Sequence, residues 1–354
     1  MSVIVSLTMK SLLLSASLLV GTLASAADPA PPAAPAKPAV PAKPAPPPKP
    51  SAYDDPAKTD EDFPLQGEYV GKMRDAAFAF QVVARGKGTF DAVLCPGGLP
   101  GAGWTRQPAH RQIVSGKRTG EGADAPVRFS SNGWIGLLKG NTLELTDFKG
   151  SAIGLLERVE RKSDTLGAKP PEGAIVLFDG TSLAAFKEGA KMTPDGLLVQ
   201  GCTTKEAFGD CQIHIEFRLP YMPEAKGQAR GNSGLYLASR YEVQMLDSFG
   251  LNGDNNECGG IYTVAKPQVN MCLPPLTWQT YDIDFKAPLF DDQGMKTADA
   301  EITVKHNGVV IHDKVTIPKP TTAAPVSTDG KLGTLYLQDH SNPMRYRNIW
   351  LVKK

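Results

Sequence analysis

Short segments in which apolar and polar residues alternate run through the sequence from residue 63 to its end, separated by turn residues. Successive side chains on a β-strand point to opposite faces, so this period of two predicts half-buried strands. The stretch "KHNGVVIH" places Asn307 and Gly308 between two such segments, which is a strong hairpin signal. Helical periodicity is scarce along the chain. The sequence therefore predicts an all-β protein.

Composition supports many turns and excludes one class of partner. The 354 residues include 35 Gly and 30 Pro, which favour turns and irregular connections. A chain of this length usually forms about two domains. The formal net charge is only +1, so no global field attracts nucleic acid, and we expect no nucleic-acid partner.

The N-terminus has the features of an export signal. Residues 1–26 contain a lysine, an apolar run and small residues ending in "ASA", the order found in secretory signal peptides. The apolar run is short for a helix that crosses a membrane, so we expect no membrane insertion after cleavage. Either Met1 or Met9 could be the initiating methionine. The sequence thus predicts a periplasmic or extracellular protein.

The rest of the chain divides into three parts by its composition. Residues 27–60 are rich in Pro, Ala and Lys and predict a disordered, extended linker. Residues 61–162 contain short strand segments and turn dipeptides, which predict a small antiparallel β domain of unreadable function. After a break, residues 173–354 contain many short strand segments, which predict a two-sheet β-sandwich of jelly-roll type.

Five cysteines follow the export signal. In an oxidising compartment four of them could form two disulfides, and local pairing, Cys202 with Cys211 and Cys258 with Cys272, is the simplest of three connectivities. Cys95 is then left as a buried free thiol. No pair of cysteines or histidines has the spacing of a zinc site, which argues against metal ligation.

Polar residues concentrate in one segment, residues 232–250. Glu242 and Gln244 lie two apart in "YEVQMLD", so on a strand they share a face, and Asp247 follows at its end. Asn232 and Ser233 precede them in the same short segment. Two interpretations stay open on these residues alone, namely the solvated face of a half-buried strand or a trough that binds a sugar.

Residues 173–354 resemble the 3-keto-disaccharide hydrolase domain family, whose domain is a concanavalin A-like sandwich. The stretches that carry the resemblance occur in the family's order: "VLFDGTSLAAF", "DCQIHIEFRL", "GNSGLYL", "YEVQMLDS", "NECGGIYTVAKP", "WQTYDIDF", "VKHNGVVIHD" and "GTLYLQDHSNPMRYRNIWL". The resemblance implies a carbohydrate ligand on one sheet face and cleavage of 3-keto-glucosides by proton abstraction, elimination and hydration.

That chemistry needs a general base and a group that stabilises an enolate. The segment "LQDHSNPMRYRN" offers His340 as the base and Arg345 or Arg347 as the group that stabilises the enolate. With the resemblance, the expected catalytic set is His340, Glu242 and Arg347. Sandwich glucanases often carry Glu-x-Asp-x-Glu on one strand face, whereas this strand has Gln244 in the middle, which argues against ordinary double-carboxylate hydrolysis. The expected substrate-binding residues are polar side chains near these positions: Gln244, Asp247, Asn232, Ser233, Tyr262, Lys266, Arg345 and Gln338.

Cofactor and partner expectations are few. The chemistry requires no cofactor, although the acidic and amide-rich stretch "DSFGLNGDNNE" leaves a divalent cation open. Asx-turns explain the same stretch equally simply. A carbohydrate is the expected partner, and the rival interpretation is a non-catalytic, lectin-like binding module. The oligomeric state, the sugar and its linkage are not encoded in these patterns.

Overall fold

The computed structural model describes residues 50–104 and 112–354. The export signal and residues 27–49 of the expected linker therefore lie outside the described residues. The described chain is 46% strand and 3% helical, which confirms the all-β fold class. Its helices are three single 3₁₀ turns: Pro56–Lys58, Phe63–Leu65 and Gly227–Ala229. No helix within these ranges is long and apolar enough to cross a membrane.

The first folded part is a closed antiparallel barrel. Within the described ranges it has eight strands, each paired with its neighbours in sequence, and the last strand pairs back onto the first. The strands are β1 (Gly67–Met73), β2 (Ala76–Gly86), β3 (Thr89–Pro96), β4 (Ile113–Arg118), β5 (Val127–Ser130), β6 (Ile135–Lys139), β7 (Thr142–Thr146) and β8 (Ala152–Val159).

Large apolar side chains fill the interior of this barrel. Tyr69, Phe80, Phe90 and Phe129 are fully buried there, as the inward-facing positions of alternating strands. Gly116 leaves room for the Phe129 ring, because a Cβ atom at that glycine would lie 2.4 Å from the ring. Closure removes the exposed strand edges that a small sheet would otherwise present.

The second folded part is a sandwich of two antiparallel sheets. Its strands, in the part of the chain that the structure describes, are β9 (Ile175–Phe178), β10 (Leu198–Val199), β11 (Cys202–Phe208), β12 (Cys211–Arg218), β13 (Ser233–Leu237), β14 (Tyr241–Met245), β15 (Trp278–Lys286), β16 (Leu289–Phe290), β17 (Lys296–Ala298), β18 (Ala300–His306), β19 (Val309–Ile317), β20 (Gly333–Leu337) and β21 (Arg345–Lys353).

The two sheets differ in size. The large sheet has the order β10-β21-β12-β15-β18-β19, with β9 also pairing with β21, and the small sheet has the order β11-β20-β13-β14. Strands β16 and β17 form a separate ribbon. One apolar face of each sheet lies in a shared core, which holds Val243 and Leu337 of the small sheet and Ile215 and Tyr281 of the large sheet. Each sheet thus has an inner face toward the core and an outer face away from it.

Contacts join the barrel to the sandwich. Val83 and Val93 of β2 and β3 belong to the same apolar cluster as the sandwich core. The backbones of Tyr53 and Tyr221 exchange two hydrogen bonds of 2.9 Å. The end of the expected linker is therefore attached to the sandwich part. The connection after β8 lies against the large sheet, where Ser163 Oγ is 2.6 Å from Thr280 Oγ1.

The cysteine prediction is wrong in its main point. Cys202, Cys211, Cys258 and Cys272 are all buried free thiols. Cys202 begins a strand of the small sheet and Cys211 begins a strand of the large sheet, so the pair belongs to different layers of the sandwich. Cys258 and Cys272 do lie beside each other, but they interact as thiols and not as a disulfide. Cys258 Sγ is also 3.2 Å from Tyr281 Oη, and Cys272 Sγ donates to the Leu246 carbonyl at 3.6 Å.

The remaining cysteine matches its prediction. Cys95 is a buried thiol on β3. It lies in the apolar cluster that joins the barrel to the sandwich, where a small thiol packs as an apolar side chain.

Candidate active site on the small sheet

The hairpin of β13 and β14 places a carboxylate on the outer face of the small sheet. Tyr236 pairs with Glu242 and Gly234 pairs with Gln244 in the antiparallel register. The alternating residues, such as Leu235 and Val243, lie in the core between the sheets. The shared face expected for Glu242 and Gln244 is therefore present, and it faces away from the core.

Neutral hydrogen-bond donors surround the Glu242 carboxylate. Tyr236 Oη donates to Glu242 Oε2 at 2.7 Å. With its amide nitrogen turned toward the carboxylate, Gln244 donates to Glu242 Oε1 at 2.9 Å. Gln338 Nε2 donates to Tyr236 Oη at 3.3 Å. These four residues, Tyr236, Glu242, Gln244 and Gln338, are called the Glu242 cluster below.

A glycine makes room for this carboxylate. A Cβ atom at Gly234 would lie 2.1 Å from Glu242 Oε1, closer than any real contact. The glycine in "NSGLYL" thus has a steric reason, because any side chain there would push Glu242 out of the cluster.

Burial changes the acidity of Glu242. The residue is 2% exposed and no cation pairs with it in the described part of the chain. Burial disfavours the charged form and raises the pKa of Glu242 to about 7, although the hydrogen bond from Tyr236 acts in the opposite direction. A carboxyl group with a pKa near neutrality can both accept and return a proton at physiological pH.

Half-buried groups extend the polar face beyond the carboxylate. Tyr336 pairs with Tyr236 across β20 and β13, and their ring centroids are 5.7 Å apart. The Tyr336 ring is partly exposed, as is Tyr262, whose backbone N–H donates to the Glu242 carbonyl at 3.1 Å. Aromatic rings beside polar groups suit the apolar face and the hydroxyls of a sugar.

The structure places Asn232 and Ser233 beside the cluster, and the Ser233 carbonyl accepts a hydrogen bond from the Gln244 amide at 2.9 Å. Asn232 Oδ1 accepts a hydrogen bond from Gln244 Nε2 at 3.3 Å in the alternative orientation of that amide. Ser233 shares the phase of Leu235 and faces the core, where its hydroxyl lies 2.7 Å from Tyr346 Oη. The Ser233 hydroxyl therefore lies on the core side of the sheet, and its position does not support the expected role in substrate binding.

Asp247 is engaged in an ion pair rather than in the cluster. Arg230 Nε donates to Asp247 Oδ2 at 2.6 Å, and both side chains are almost completely buried. The backbone N–H of Phe249 donates to the other carboxylate oxygen at 3.3 Å. A buried, paired carboxylate of this kind holds the turn after β14, so the expected role of Asp247 in substrate binding is not supported.

His340 and Lys266 lie on exposed loops that border the cluster. His340 is exposed, and its loop is attached on both sides to residues near Glu242, by Gln338 and by Asn342, whose Oδ1 accepts from the Asn232 N–H at 2.7 Å. Lys266 is also exposed and follows the segment that pairs along β14. The expected roles of His340 and Lys266 therefore stay predictions.

Arg347 and Arg345 are on the other side of the molecule. Both belong to β21 of the large sheet, and Arg347 Nε donates to Glu216 Oε2 at 2.6 Å on the outer face of that sheet. Arg345 forms an ion pair with Asp54. The expected cluster of His340, Glu242 and Arg347 is therefore wrong in its arginine, because the sandwich core separates Arg347 from Glu242.

A second buried carboxylate occupies the outer face of the large sheet. Glu216 also accepts hydrogen bonds from Asn348 Nδ2 at 2.9 Å and from the Gly167 N–H at 2.6 Å. His214 lies between Glu216 and Asp282, with Nδ1 2.6 Å from Asp282 Oδ1. We call Glu216, His214, Asp282, Arg347 and Asn348 the Glu216 cluster.

The pKa of Glu216 is shifted downward, opposite to the upward shift of Glu242. Burial alone would raise the pKa of Glu216, but hydrogen bonds from His214, Asn348 and Arg347 outweigh it and lower that pKa to about 2. Burial likewise acts to lower the pKa of His214, while Asp282 and Glu216 raise it above its usual value. The cluster is a set of mutually neutralised charges that ties the connection after β8 to the sandwich.

Tyr236 is the site residue that the sequence interpretation missed. A signal was present, because Tyr236 alternates in phase with the apolar Leu235 and Leu237, and the structure makes it the cross-strand partner of Glu242. The sequence also left a divalent-cation site open. Among residues 50–104 and 112–354, no three His, Cys, Asp or Glu side chains lie together as a metal site.

The chain is similar to several solved structures and to one family model. A crystal structure of a candidate glycosyl hydrolase from Parabacteroides distasonis is 34% identical over 52% of this chain and 85% of that chain, with a TM-score of 0.48. Two further structures of candidate glycosyl hydrolases from the same organism are 18% and 20% identical, cover 95% and 99% of those chains and 52% and 51% of this one, and have TM-scores of 0.40 and 0.37.

No curated protein matches the chain. The family model of the 3-keto-alpha-glucoside-1,2-lyase-like domain matches residues 173–352, slightly more than half of the 354 residues and nearly the whole sandwich. That match includes both strands of the β13–β14 hairpin and confirms the family expected from the sequence. The chain belongs to the family of 3-keto-alpha-glucoside-1,2-lyase-like domains, and its function is carbohydrate-active.

Proposed function

We propose that this chain is an exported enzyme that cleaves 3-keto-glycosides, with Glu242 as the base that removes the proton from carbon 2 of the sugar. One observation carries the proposal: Glu242 is a buried carboxyl group with a pKa of about 7 on a polar and aromatic sheet face. A base of this pKa is half deprotonated at neutral pH, which suits abstraction of a proton made acidic by the neighbouring ketone.

The reaction proceeds in two balanced stages. Glu242 takes the carbon-2 proton, the electron pair forms the enolate of the 3-ketone, and collapse of the enolate breaks the bond from carbon 1 to the glycosidic oxygen. The leaving alcohol takes up a proton. Water then adds across the resulting carbon–carbon double bond, with hydroxide joining carbon 1 and a proton joining carbon 2, so the net reaction is hydrolysis.

Neighbouring side chains supply the remaining functions. His340, on the exposed loop after β20, is in the right region to protonate the leaving oxygen. Gln338 Nε2 and the ammonium group of Lys266 are the donors available to the enolate oxygen, in place of Arg347. Tyr336 offers a ring for stacking against the sugar.

Substrate entry requires hydrogen bonds over the cluster to open. Gln228 Oε1 accepts from Asn232 Nδ2 at 3.1 Å, and Gln228 Nε2 donates to the Asn256 carbonyl at 2.8 Å. Gln228 and Asn256 are partly or largely exposed, so their contacts cost little to exchange for contacts with sugar hydroxyls. A sugar that replaces them would keep Glu242 away from water and preserve its raised pKa.

Export is part of the proposal and depends on residues 1–26. The lysine, apolar run and small residues there have the order of a cleaved signal peptide. Expression of the full chain in a bacterium should yield a mature protein that begins near residue 27 in the periplasm or medium. N-terminal sequencing that finds the intact first 26 residues on cytoplasmic protein would contradict export.

The decisive test of the reaction uses a 3-keto-glucoside in deuterium oxide. Elimination followed by hydration leaves one solvent deuterium at carbon 2 of the released 3-keto sugar, which nuclear magnetic resonance detects, and the unoxidised glucoside should not react. His340→Ala should slow turnover by about 10²–10⁴ without weakening sugar binding.

Three outcomes would contradict the proposal. Release of sugar without the label would indicate direct displacement. Equal cleavage of the unoxidised glucoside would indicate an ordinary glycosidase. Binding of both sugars without turnover would favour the lectin-like module.

A further inference from the structure

We propose that the open end of the N-terminal barrel is a binding site for a small organic anion that carries an apolar ring or chain. The site lies outside the matched family domain and is independent of the proposed hydrolase. It is a cavity of about 1070 Å³, built by the ends of strands β1, β3 and β5 and the beginnings of β2, β4 and β8. Barrel mouths are common sites for small ligands.

The two ends of the barrel are built differently. At one end the 3₁₀ turn Phe63–Leu65 packs on the interior, with Leu65 in the same apolar cluster as Tyr221 and Leu276 of the sandwich part. Tyr69 Oη also donates to the Leu65 carbonyl at 2.9 Å, which fastens this plug. The opposite end has no such plug among the described residues that line it, and the cavity opens there.

The cavity has an apolar floor. Phe78, Leu94, Trp134 and Ile153 line it, and the Trp134 ring packs edge-on against Phe80 at 5.6 Å between centroids. Eight-stranded barrels are just wide enough to be filled by side chains or to hold one small ligand. Here the side chains fill most of the barrel, and a ring or short chain would complete the filling at the open end.

The polar rim of the cavity indicates the charge of the ligand. Arg74 lies at the rim, is exposed and forms no ion pair within the described ranges. Among the described residues that line the cavity, no side chain is a carboxylate, and the other polar groups, Gln112 and Asn132 for example, are neutral. A guanidinium group above an apolar floor favours a ligand that ends in a carboxylate or sulfonate.

A glycine at the rim allows the site to be closed without strain. Gly133 lines the cavity, has no atom within 4 Å of a Cβ placed on it, and does not have the positive φ that most open glycines of this chain show. Gly133→Trp should therefore place an indole in the opening while the barrel stays folded.

The test measures two fluorescent probes on the full chain. 8-Anilinonaphthalene-1-sulfonate matches the proposed ligand, and N-phenyl-1-naphthylamine has the same rings without the anion. We expect the sulfonate to bind the wild type about three- to tenfold more tightly than the neutral probe, since a partly exposed charge-assisted contact contributes about that much. Arg74→Gln should remove this preference, and Gly133→Trp should weaken both probes at least about tenfold.

Controls distinguish the cavity from general apolar binding. Lys139→Trp adds an indole to an exposed position on β6 outside the cavity and should leave both affinities unchanged. If Gly133→Trp does not fold, Asn132→Trp at the adjacent rim position replaces it. The proposal is overturned if the wild type binds neither probe, if the two probes bind equally, or if the blocking variant binds them as the wild type does.

Discussion

The outer faces of the two sheets each contain a buried glutamate, and the two differ in their partners. Glu242 on the small sheet is 2% exposed and Glu216 on the large sheet is 1% exposed. Glu242 accepts hydrogen bonds from the neutral Tyr236 and Gln244, whereas Glu216 is bonded by Arg347 and lies beside His214. Their pKa values shift in opposite directions, to about 7 and about 2.

This difference shows that burial alone does not set the acidity of a carboxylate. Burial acts to raise the pKa of both glutamates, and the charge of the neighbouring groups decides whether the net shift is upward or downward. Where neighbouring cations compensate for the cost of burying the charge, the carboxylate stays ionised and holds the structure together. Where only neutral donors are present, the proton remains exchangeable near pH 7, as a general base requires.

The largest expected effect is a difference in turnover between variants of the two glutamates. Glu242→Gln should reduce turnover of a 3-keto-glucoside by about 10²–10⁴, because the amide cannot accept the carbon-2 proton. Glu216→Gln is the matched control, which should keep turnover within about twofold and lower the thermal midpoint instead. Steady-state kinetics and thermal unfolding of both variants measure the contrast. A loss of turnover in Glu216→Gln with little loss in Glu242→Gln would reverse the assignment of the two faces.

The second effect is the pH dependence of the reaction. The deprotonated form of Glu242 is the base, so kcat/KM should fall about tenfold per pH unit below its pKa of about 7 and level off above it. Tyr236→Phe removes the hydrogen bond that lowers this pKa, so the midpoint of the profile should move to higher pH. A midpoint near the ordinary glutamate value, unchanged in Tyr236→Phe, would contradict the link between these residues.

The third effect concerns stability at the Glu216 cluster. Arg347→Met removes the cation that donates to Glu216 and that also lies over the Trp278 ring at 4.1 Å. The side chain of Arg347 is 38% exposed, so solvent screens part of the loss, and we expect a cost of about 1–2 kcal/mol in the free energy of unfolding. Denaturant unfolding measures it. Turnover should be unchanged, and a fall of tenfold or more would return Arg347 to the active site.

The smallest effect is a pH dependence of stability from His214. Its pKa is raised in the folded protein, so its contribution is fully present below the unfolded value of about 6.5 and is lost as the pH rises through the folded pKa. His214→Asn should therefore lower the thermal midpoint more at pH 6 than at pH 9, by about 2 °C. Equal differences at the two pH values would show that His214 is not charged in the fold.

Alternation in the sequence was sufficient to predict the sandwich and the face shared by Glu242 and Gln244, because a period of two is a local property. The phase of Ser233 could have been read in the same way, since Leu235 follows it two residues later on the core side. The separation of Arg347 from Glu242 could not be read locally. It depends on which strands pair, and β21 joins β12 rather than β13.

Two other features depended on long-range geometry. Cys202 and Cys211 are close in sequence but begin strands of different sheets, so short separation did not imply a disulfide. The raised pKa of Glu242 comes from burial, and the Tyr236 hydrogen bond limits the rise; neither the surrounding structure that buries the carboxylate nor Tyr236 belongs to the segment "YEVQMLD". Local patterns thus indicated the residue, while its chemistry came from the packed structure.

The central claim is that burial raises the pKa of both glutamates, and that only the partners of Glu216 outweigh it, so the net shifts have opposite directions. Its most direct test is a carbon-13 magnetic resonance titration of the glutamate side-chain carboxyls, with Glu242→Gln and Glu216→Gln used to assign the signals. The account predicts a carboxyl that titrates near pH 7 and disappears in Glu242→Gln, and another that stays ionised to about pH 2 and disappears in Glu216→Gln. Titration of Glu242 near its ordinary value of about 4.3 would contradict the account.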